Sequence, residues 1–532
     1  MPDVEPVRGR VTPPATAGPG STPEPDQPPP EARAPRGLSR RATLGGGLWN
    51  AASTVAPMGS TLLLSIVISR ELGANALGEQ SLVAYVASLM FSVLIYSFTT
   101  ASVQLLASAS GARDDARLAW LSRWSYGAHV VSGVVTAGVM VATGLGRNSY
   151  SELWFLAGTT AVVDAIGWAH ASRNVARRGW TATSARRLIA QSISPLAGIT
   201  AIYAGAGVAG VFVAHLVVAL ALMVALRLLD RRDQMPVIEG RAAPAWNPVL
   251  RLWSLFTVAA LITQIVERRL ELVFLDAFHD ARTVAMYSVA FSIVAIPATL
   301  ASSLVHAAMP AIASRHAQDP TSVVQAVSPA ARVMVTVGMV LAAGSASIGP
   351  GLVRSVYGPG FVDAAHLVPW LSLALVIGPL GSLCSALWAG VGTLRPVLVS
   401  GGLGAVLDVT LAWLLIPSSS TTGAVIATLT AQGVTALTLI GYTLGGRFRI
   451  ELRPGRLAAS ALVAVTAGAA AAATSVAIAG LPGDLVAIVP FAAVLAVGSR
   501  LVGLFSQDDV AWLAGSIPGP AARALRAVSP RR

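Results

Sequence analysis

The chain has 532 residues, of which 54% are hydrophobic and only 12% charged, against about 25% charge in a soluble globular protein. This surplus of apolar side chains exceeds what one water-soluble core can hide, so lipid must solvate much of the surface. The net charge of +12 would suit a nucleic-acid partner, but its distribution excludes that reading, and the lone Cys384 excludes a disulfide framework.

Residues 1–37 hold 11 prolines and almost no large apolar groups. Such a stretch cannot bury enough surface to offset its ordering entropy, and it reads as a disordered tail. From Leu44 onward, fourteen apolar segments are long enough to cross a membrane as helices. They run over 44–69, 80–107, 122–145, 153–171, 188–206, 208–228, 250–278, 284–310, 328–349, 364–391, 397–416, 423–444, 457–480 and 484–505. Strands of about ten residues with alternating polarity, the mark of a membrane barrel, do not occur in this pattern. The expected fold is therefore all-α and polytopic.

All basic residues are arginine, and their positions test this map. If connections alternate between two sides, 31 of the 37 arginines share the side of the amino terminus. Four (Arg70, Arg147, Arg282 and Arg354) fall on the other side, and Arg268 and Arg269 lie within a span. Cytoplasmic connections carry the excess of positive charge, so both termini are placed in the cytoplasm. The basic charge is explained without nucleic acid.

An internal repeat is visible. "NALGEQSLVAYVASL" (75–89) opens the second segment and "RTVAMYSVAFSIVAI" (282–296) the eighth. Ser81 aligns with Ser288 and Gly78 with Ala285. The chain divides accordingly: a six-helix bundle over 38–232, a second over 233–446, two further helices over 447–506, and a cytoplasmic tail over 507–532. Two parallel repeats would be related by an axis along the membrane normal.

"VERRLEL" (266–272) places four charges inside the seventh segment. Each costs about 2.5–3.5 kcal/mol at the centre of a bilayer, so these groups should face protein or water. On a continuous helix Gln264, Glu267, Arg268 and Glu271 fall within an arc of about 100°, with Arg269 and Asp276 nearly opposite. The first face is expected to line a cavity, where an arginine fork suits a pyrophosphate and the carboxylates pair with arginine or carry protons. The bland alternative, a solvated rim at the outer interface, stays open at this point. Asp164 in "AVVDAIGWAH" and Asp408 in "VLDVTL" also interrupt apolar spans and are site candidates. His129 and His215 read as packing residues. Pro297, Pro369 and Pro379 are expected to kink their helices. No nucleotide-binding loop, metal-ligand spacing or nucleophile elbow occurs, so no cofactor and no enzymatic reaction are expected.

Three stretches, "SRELGANALGEQSLVAYVASL" (69–89), "RLELVFLDAFHDARTVAMYSVAFSI" (269–293) and "AVLDVTLAWLLIPSSSTTGAVIATLTAQ" (405–432), resemble helix junctions of the polysaccharide-transporter (Wzx-type) flippases. That family belongs to the multidrug/oligosaccharidyl-lipid/polysaccharide exporter superfamily. The resemblance covers about 40–510 and implies two six-helix bundles around a central cavity, with two extra carboxy-terminal helices. It implies a polyprenyl-pyrophosphate-linked glycan as substrate, membrane lipids around the protein, and a polysaccharide polymerase and glycosyltransferases as partners. Against the family pattern, Glu271 stands where Asp is common and Asp408 where Asn is common. An ion-coupled drug antiporter or a peptidoglycan-precursor flippase of the same superfamily is the alternative within transport. A membrane polymerase or ligase is disfavoured by outer connections of about 20 residues or fewer.

Overall fold

A computed structural model describes residues 57–506 and Asp509, apart from 113, 148–149, 179–180, 232–245, 319, 446–449 and 479. The expected tails, 1–37 and most of 507–532, lie outside the described residues. The described residues fall in one compact unit, and among them there are helices and turns but no strand.

The helices follow the apolar segments in order. They are α1 (57–71), α2 (Gly73–Gly111), α3 (Asp115–Leu145), α4 (Ser151–Arg178), α5 (Thr181–Tyr203) and α6 (Gly207–Arg231). Helix α7 comes in two pieces, α7a (Trp246–Val266) and α7b (Glu271–Phe278). Then follow α8 (Ala281–Gln318), α9 (Pro320–Tyr357), and α10 as Val362–Ser372 and Ala374–Gly390. Arg395–Gly445 holds α11 and α12, divided at Ser420, whose φ is 52°. The last are α13 (Pro454–Ala477) and α14 (Leu481–Val502). Nine helices among the described residues are long and apolar enough to cross a membrane, ten with the bent pair in α10. Over its described residues, each of the fourteen segments falls mainly on helix, the seventh in two pieces, and the protein is a polytopic membrane protein.

Two helices depart from straightness in ways that matter. In α10 the bend of 47° falls at Leu373, between Pro369 and Pro379. There the amides of Leu373 and Val376 reach back only three residues, to Trp370 and Leu373. In α2, Phe91–Tyr96 forms a π-helical turn, a local widening often found at functional sites.

The ends of α1, α2, α7b, α8, α9 and α12 converge at the arginine-poor end of the bundle. Ile68, Leu77, Leu272, Tyr287, Val353 and Ala424 are fully buried there in one cluster. In lipid, helices associate through close packing rather than water exclusion, and small residues permit that approach. Gly78 in α2 is such a residue: a Cβ there would overlap the backbone of Ala281 in α8. The two repeat-related segments thus pack on each other. Gly78→Ala should separate them and lower thermal stability by about 1–3 kcal/mol, measured as a melting shift of the purified protein. An equal melting temperature would show that the contact carries no weight. Gly59→Ala, in open space, is the control.

At the arginine-rich end, a buried ion pair ties the carboxy-terminal segment to α9. Arg332 donates through Nε and Nη2 to Asp509 at 3.1 and 2.8 Å, and through Nη1 to the Glu451 carbonyl at 3.3 Å. Asp509 also accepts the Ser506 amide at 2.8 Å.

Candidate functional site at the α7 break

Helix α7 does not run through VERRLEL. Residues 267–270 form turns. The Glu267 amide still bonds back four residues to Thr263, at 3.0 Å. The amides of Leu272 and Val273 bond back only three, to Arg269 and Leu270, each at 3.0 Å. This tightening rotates everything beyond it. The expectation of one face shared by Gln264, Glu267, Arg268 and Glu271 is therefore overturned, because it assumed an unbroken helix. Gln264 and Glu271 are buried, whereas Glu267 and Arg268 are exposed. The break lies one α7b length, about 12 Å, below the arginine-poor end.

Glu271 is packed between α8, α11 and α12. It is 1% exposed, and the Thr428 hydroxyl of α12 donates to its Oε1. Tyr287 of α8 lies 2.5 Å from that hydroxyl. Asp408 of α11 is 0% exposed, and its carboxyl neighbours that of Glu271 with no hydrogen bond between them. Oε2 of Glu271 and both oxygens of Asp408 have no hydrogen-bond partner. Buried polar atoms are normally satisfied, and two buried carboxylates cannot both remain ionised without a cation. A proton between them, or a small cation bound by oxygens, completes the arrangement. The structure thus brings together two residues that are 137 positions apart in the sequence (271 and 408).

The two arginines of the break diverge. Arg269 turns towards α8, where its Nη1 donates to Ser288 at 2.7 Å and Ser292 at 3.4 Å, and its guanidinium lies 5.8 Å from the Phe291 ring centre. No carboxylate forms a salt bridge with it among the described residues. Arg269 and Asp276, which share a side of an unbroken helix, do not meet across the break. Asp276 pairs instead with Arg147, from the α3–α4 connection, which also reaches Glu79 of α2 at 3.4 Å. Gln264 points to α2: its Nε2 donates to Ser92 in the π-helical turn at 2.5 Å, and its backbone carbonyl accepts the Tyr85 hydroxyl at 3.2 Å.

Further links close the arginine-poor end. Arg70 at the end of α1 donates to the carbonyls of Ser355 and Val356 at the end of α9, at 2.6 and 2.8 Å. His279 lies 2.8 Å from the Ile416 carbonyl, and Arg282 donates to the Gly360 carbonyl at 3.2 Å. In the connection before α8, the hydroxyl and amide of Thr283 hold the Asp280 carboxyl below the usual carboxylate range. These contacts would have to part for this end to open. Arg147→Ala removes the bridge between α2 and α7b while leaving the α8 contacts in place. A cysteine in place of Ser81, nearly isosteric and buried in α2, introduced into that variant with Cys384 replaced, should react faster with a water-soluble thiol reagent than in the unaltered background. Equal labelling rates would show that Arg147 does not hold the end shut.

Asp164 lies elsewhere, in α4, lining a cleft with Arg187 of α5. His129 is a satisfied core residue, as expected, held by Thr99 at 2.9 Å and the Ser125 carbonyl at 2.7 Å. Thr428, Tyr287, Arg147 and Ser92 were not singled out in the sequence. Hydroxyl residues in apolar helices carry no local signal, and Arg147 lies in an ordinary connection.

A family model described as "Polysaccharide biosynthesis protein" matches residues 67–366, more than half of the chain. No curated protein matches. Among solved structures, the fold matches a lipid II flippase MurJ in an inward closed conformation, with a TM-score of 0.66 at 11% identity, over 85% of this chain and 98% of that one. It also matches an inward-facing multidrug resistance MATE family transporter of the MOP superfamily, with a TM-score of 0.57 at 17% identity, over 77% and 98%. A third match is the eukaryotic MATE transporter AtDTX14, with a TM-score of 0.51 at 15% identity, over 80% and 98%. At such identities the structural matches establish a shared fold, and the extent of the family match establishes kinship: the chain belongs to the polysaccharide biosynthesis protein family.

Proposed function

We propose that the protein is a flippase that moves a polyprenyl-pyrophosphate-linked glycan across the cytoplasmic membrane by alternating access. In this reading it is a transporter rather than an enzyme. The arginine-poor end is the outer one, and both termini are cytoplasmic. The two six-helix halves, 38–232 and 233–446, move against each other. A polysaccharide polymerase and glycosyltransferases act after and before it on the same glycan.

One observation carries the reading: a break in a membrane helix presents exposed Arg268 and, one turn on, buries Glu271 against Asp408. A charge exposed at this depth faces a water-filled passage rather than lipid, which would penalise it. The planar guanidinium of Arg268 suits a diphosphate, and Arg269, pinned by Ser288 and Ser292, sets the position of the turn. The carboxyl pair takes up one positive charge, a proton or a small monovalent cation, to drive the cycle. The family match and the fold shared with a lipid II flippase support a lipid-linked substrate.

Farnesyl diphosphate binding to the purified protein tests the anion site. Charge-assisted hydrogen bonds are worth about 1.5–3 kcal/mol, so Arg268→Ala should weaken binding roughly 10- to 100-fold. Arg268→Lys should recover part of that, since an ammonium keeps the charge but loses the fork. Equal affinities in all three proteins would remove Arg268 from the site.

A further inference from the structure

The amino-terminal half holds a second pair of opposite charges within its helices. Asp164 sits fourteen residues before the end of α4 at Arg178, about 21 Å up from the arginine-rich end. Arg187 sits six residues into α5, about 9 Å up from the same end. An arginine at that height beside lipid would snorkel to the near interface. Arg187 does the reverse. Its guanidinium lies 3.7 Å from the ring centre of Trp168, one turn from Asp164 on α4. The two charges line one narrow cleft with Gly167, Trp168, Met223 and Leu226. They share this cleft without a salt bridge between them among the described residues.

The groups facing the pair come from each neighbouring helix. His215 of α6, one turn before Ala219 of the cleft lining, lies 2.9 Å from the Ser194 hydroxyl of α5. The Trp168 ring in turn rests on Tyr96 and Phe91, at centre distances of 5.3 and 5.7 Å. Both belong to the π-helical turn whose Ser92 accepts from Gln264 of α7a.

We propose that Asp164 is a second proton-exchange site, built into the amino-terminal half and separate from Glu271–Asp408, with Arg187 as its counter-charge. An ionised Asp164 is answered by Arg187 across the cleft. When Asp164 takes a proton from water in the cleft, Arg187 is left on the Trp168 ring, whose face holds a guanidinium without a carboxylate. Neither state strands a charge, and this lets the carboxyl change state inside a membrane helix. The change is passed through Trp168 and the π-helical turn to Gln264 of α7a, three residues before the break at Glu267. The proposal does not depend on the identity of the transported molecule.

Intrinsic tryptophan fluorescence of the full-length protein in lipid nanodiscs, titrated with pH, tests it. The difference between the native protein and Trp168→Phe isolates the Trp168 signal. That signal should show a transition that Asp164→Asn abolishes, while His215→Gln and the double variant Glu271→Gln/Asp408→Asn retain it. Arg187→Gln should move the midpoint to higher pH, because removing a nearby cation disfavours the ionised carboxyl. Arg187→Lys should leave the midpoint near the native value, which keeps the test open if the glutamine variant does not fold. The proposal is overturned if the native Trp168 signal is flat, if Asp164→Asn keeps the transition, or if His215→Gln removes it.

Discussion

Glu271→Gln and Asp408→Asn are each expected to cut transport by reconstituted protein on the order of a hundredfold, about 2.7 kcal/mol, without loss of folded protein. The Thr428 hydroxyl can donate to an amide carbonyl at position 271 as it does to the carboxylate, so the packing of α7b is kept. What disappears is the capacity to take up a positive charge between α7b and α11. Because the two carboxyls act as a unit, the double variant should be little worse than either single one. Stability should move the other way. Two facing acids with three unpartnered oxygens strain the fold when both are ionised, and an amide at position 408 relieves that repulsion. Asp408→Asn should therefore melt at the same or a higher temperature while failing to transport. Driving wild-type protein with a proton gradient alone, then with a sodium gradient alone, distinguishes the two carriers of the charge. Near-native transport by both single variants would show that the carboxyl pair is structural.

The second large effect concerns stability. Arg332→Ala should destabilise the protein by about 3–5 kcal/mol, the cost of leaving a buried charge without its partner. Arg332 and Asp509 are 7% and 1% exposed, so water cannot replace the lost contact. Asp509→Asn should cost less, since the amide oxygen still accepts from the guanidinium and from the Ser506 amide. Replacing both residues with apolar ones of similar volume should restore much of the loss, as buried pairs are often no better than good packing. Thermal unfolding in detergent checks the order. A single Arg332→Ala variant as stable as the native protein would mean that the carboxy-terminal segment is not held by this pair.

The all-helical, polytopic architecture was legible because an apolar run of spanning length has few alternatives in lipid. The positions of the helix ends were not. Helix α2 begins at Gly73, although the apolar run begins near Ser81, because "ELGANALGEQ" is carried into the core by contacts it cannot encode alone. Glu79 is met by Arg147, 68 residues on. VERRLEL was legible as an anomaly. Its geometry was not, since a helical wheel presumes the very ladder that the turn at 267–270 interrupts. Asp408 was visible as a charge in an apolar run, and Glu271 likewise. Their meeting was invisible, as was the role of Thr428, 157 residues from Glu271. Arg268 and Arg269 looked like near opposites on one cylinder. They differ instead in that one is exposed and the other is held by serines of α8.

A flippase whose machinery is the α7 break should itself move a lipid-linked glycan between leaflets. A fluorescent polyprenyl-diphosphate disaccharide, placed in proteoliposomes and followed by a membrane-impermeant reagent that destroys only outer-leaflet label, tests it most directly. Native protein should make the inner-leaflet label accessible well above the rate in protein-free vesicles, and Arg268→Ala and Glu271→Gln should each fall close to that background with intact insertion. Native protein no faster than empty vesicles, or both variants as fast as native, would contradict the account.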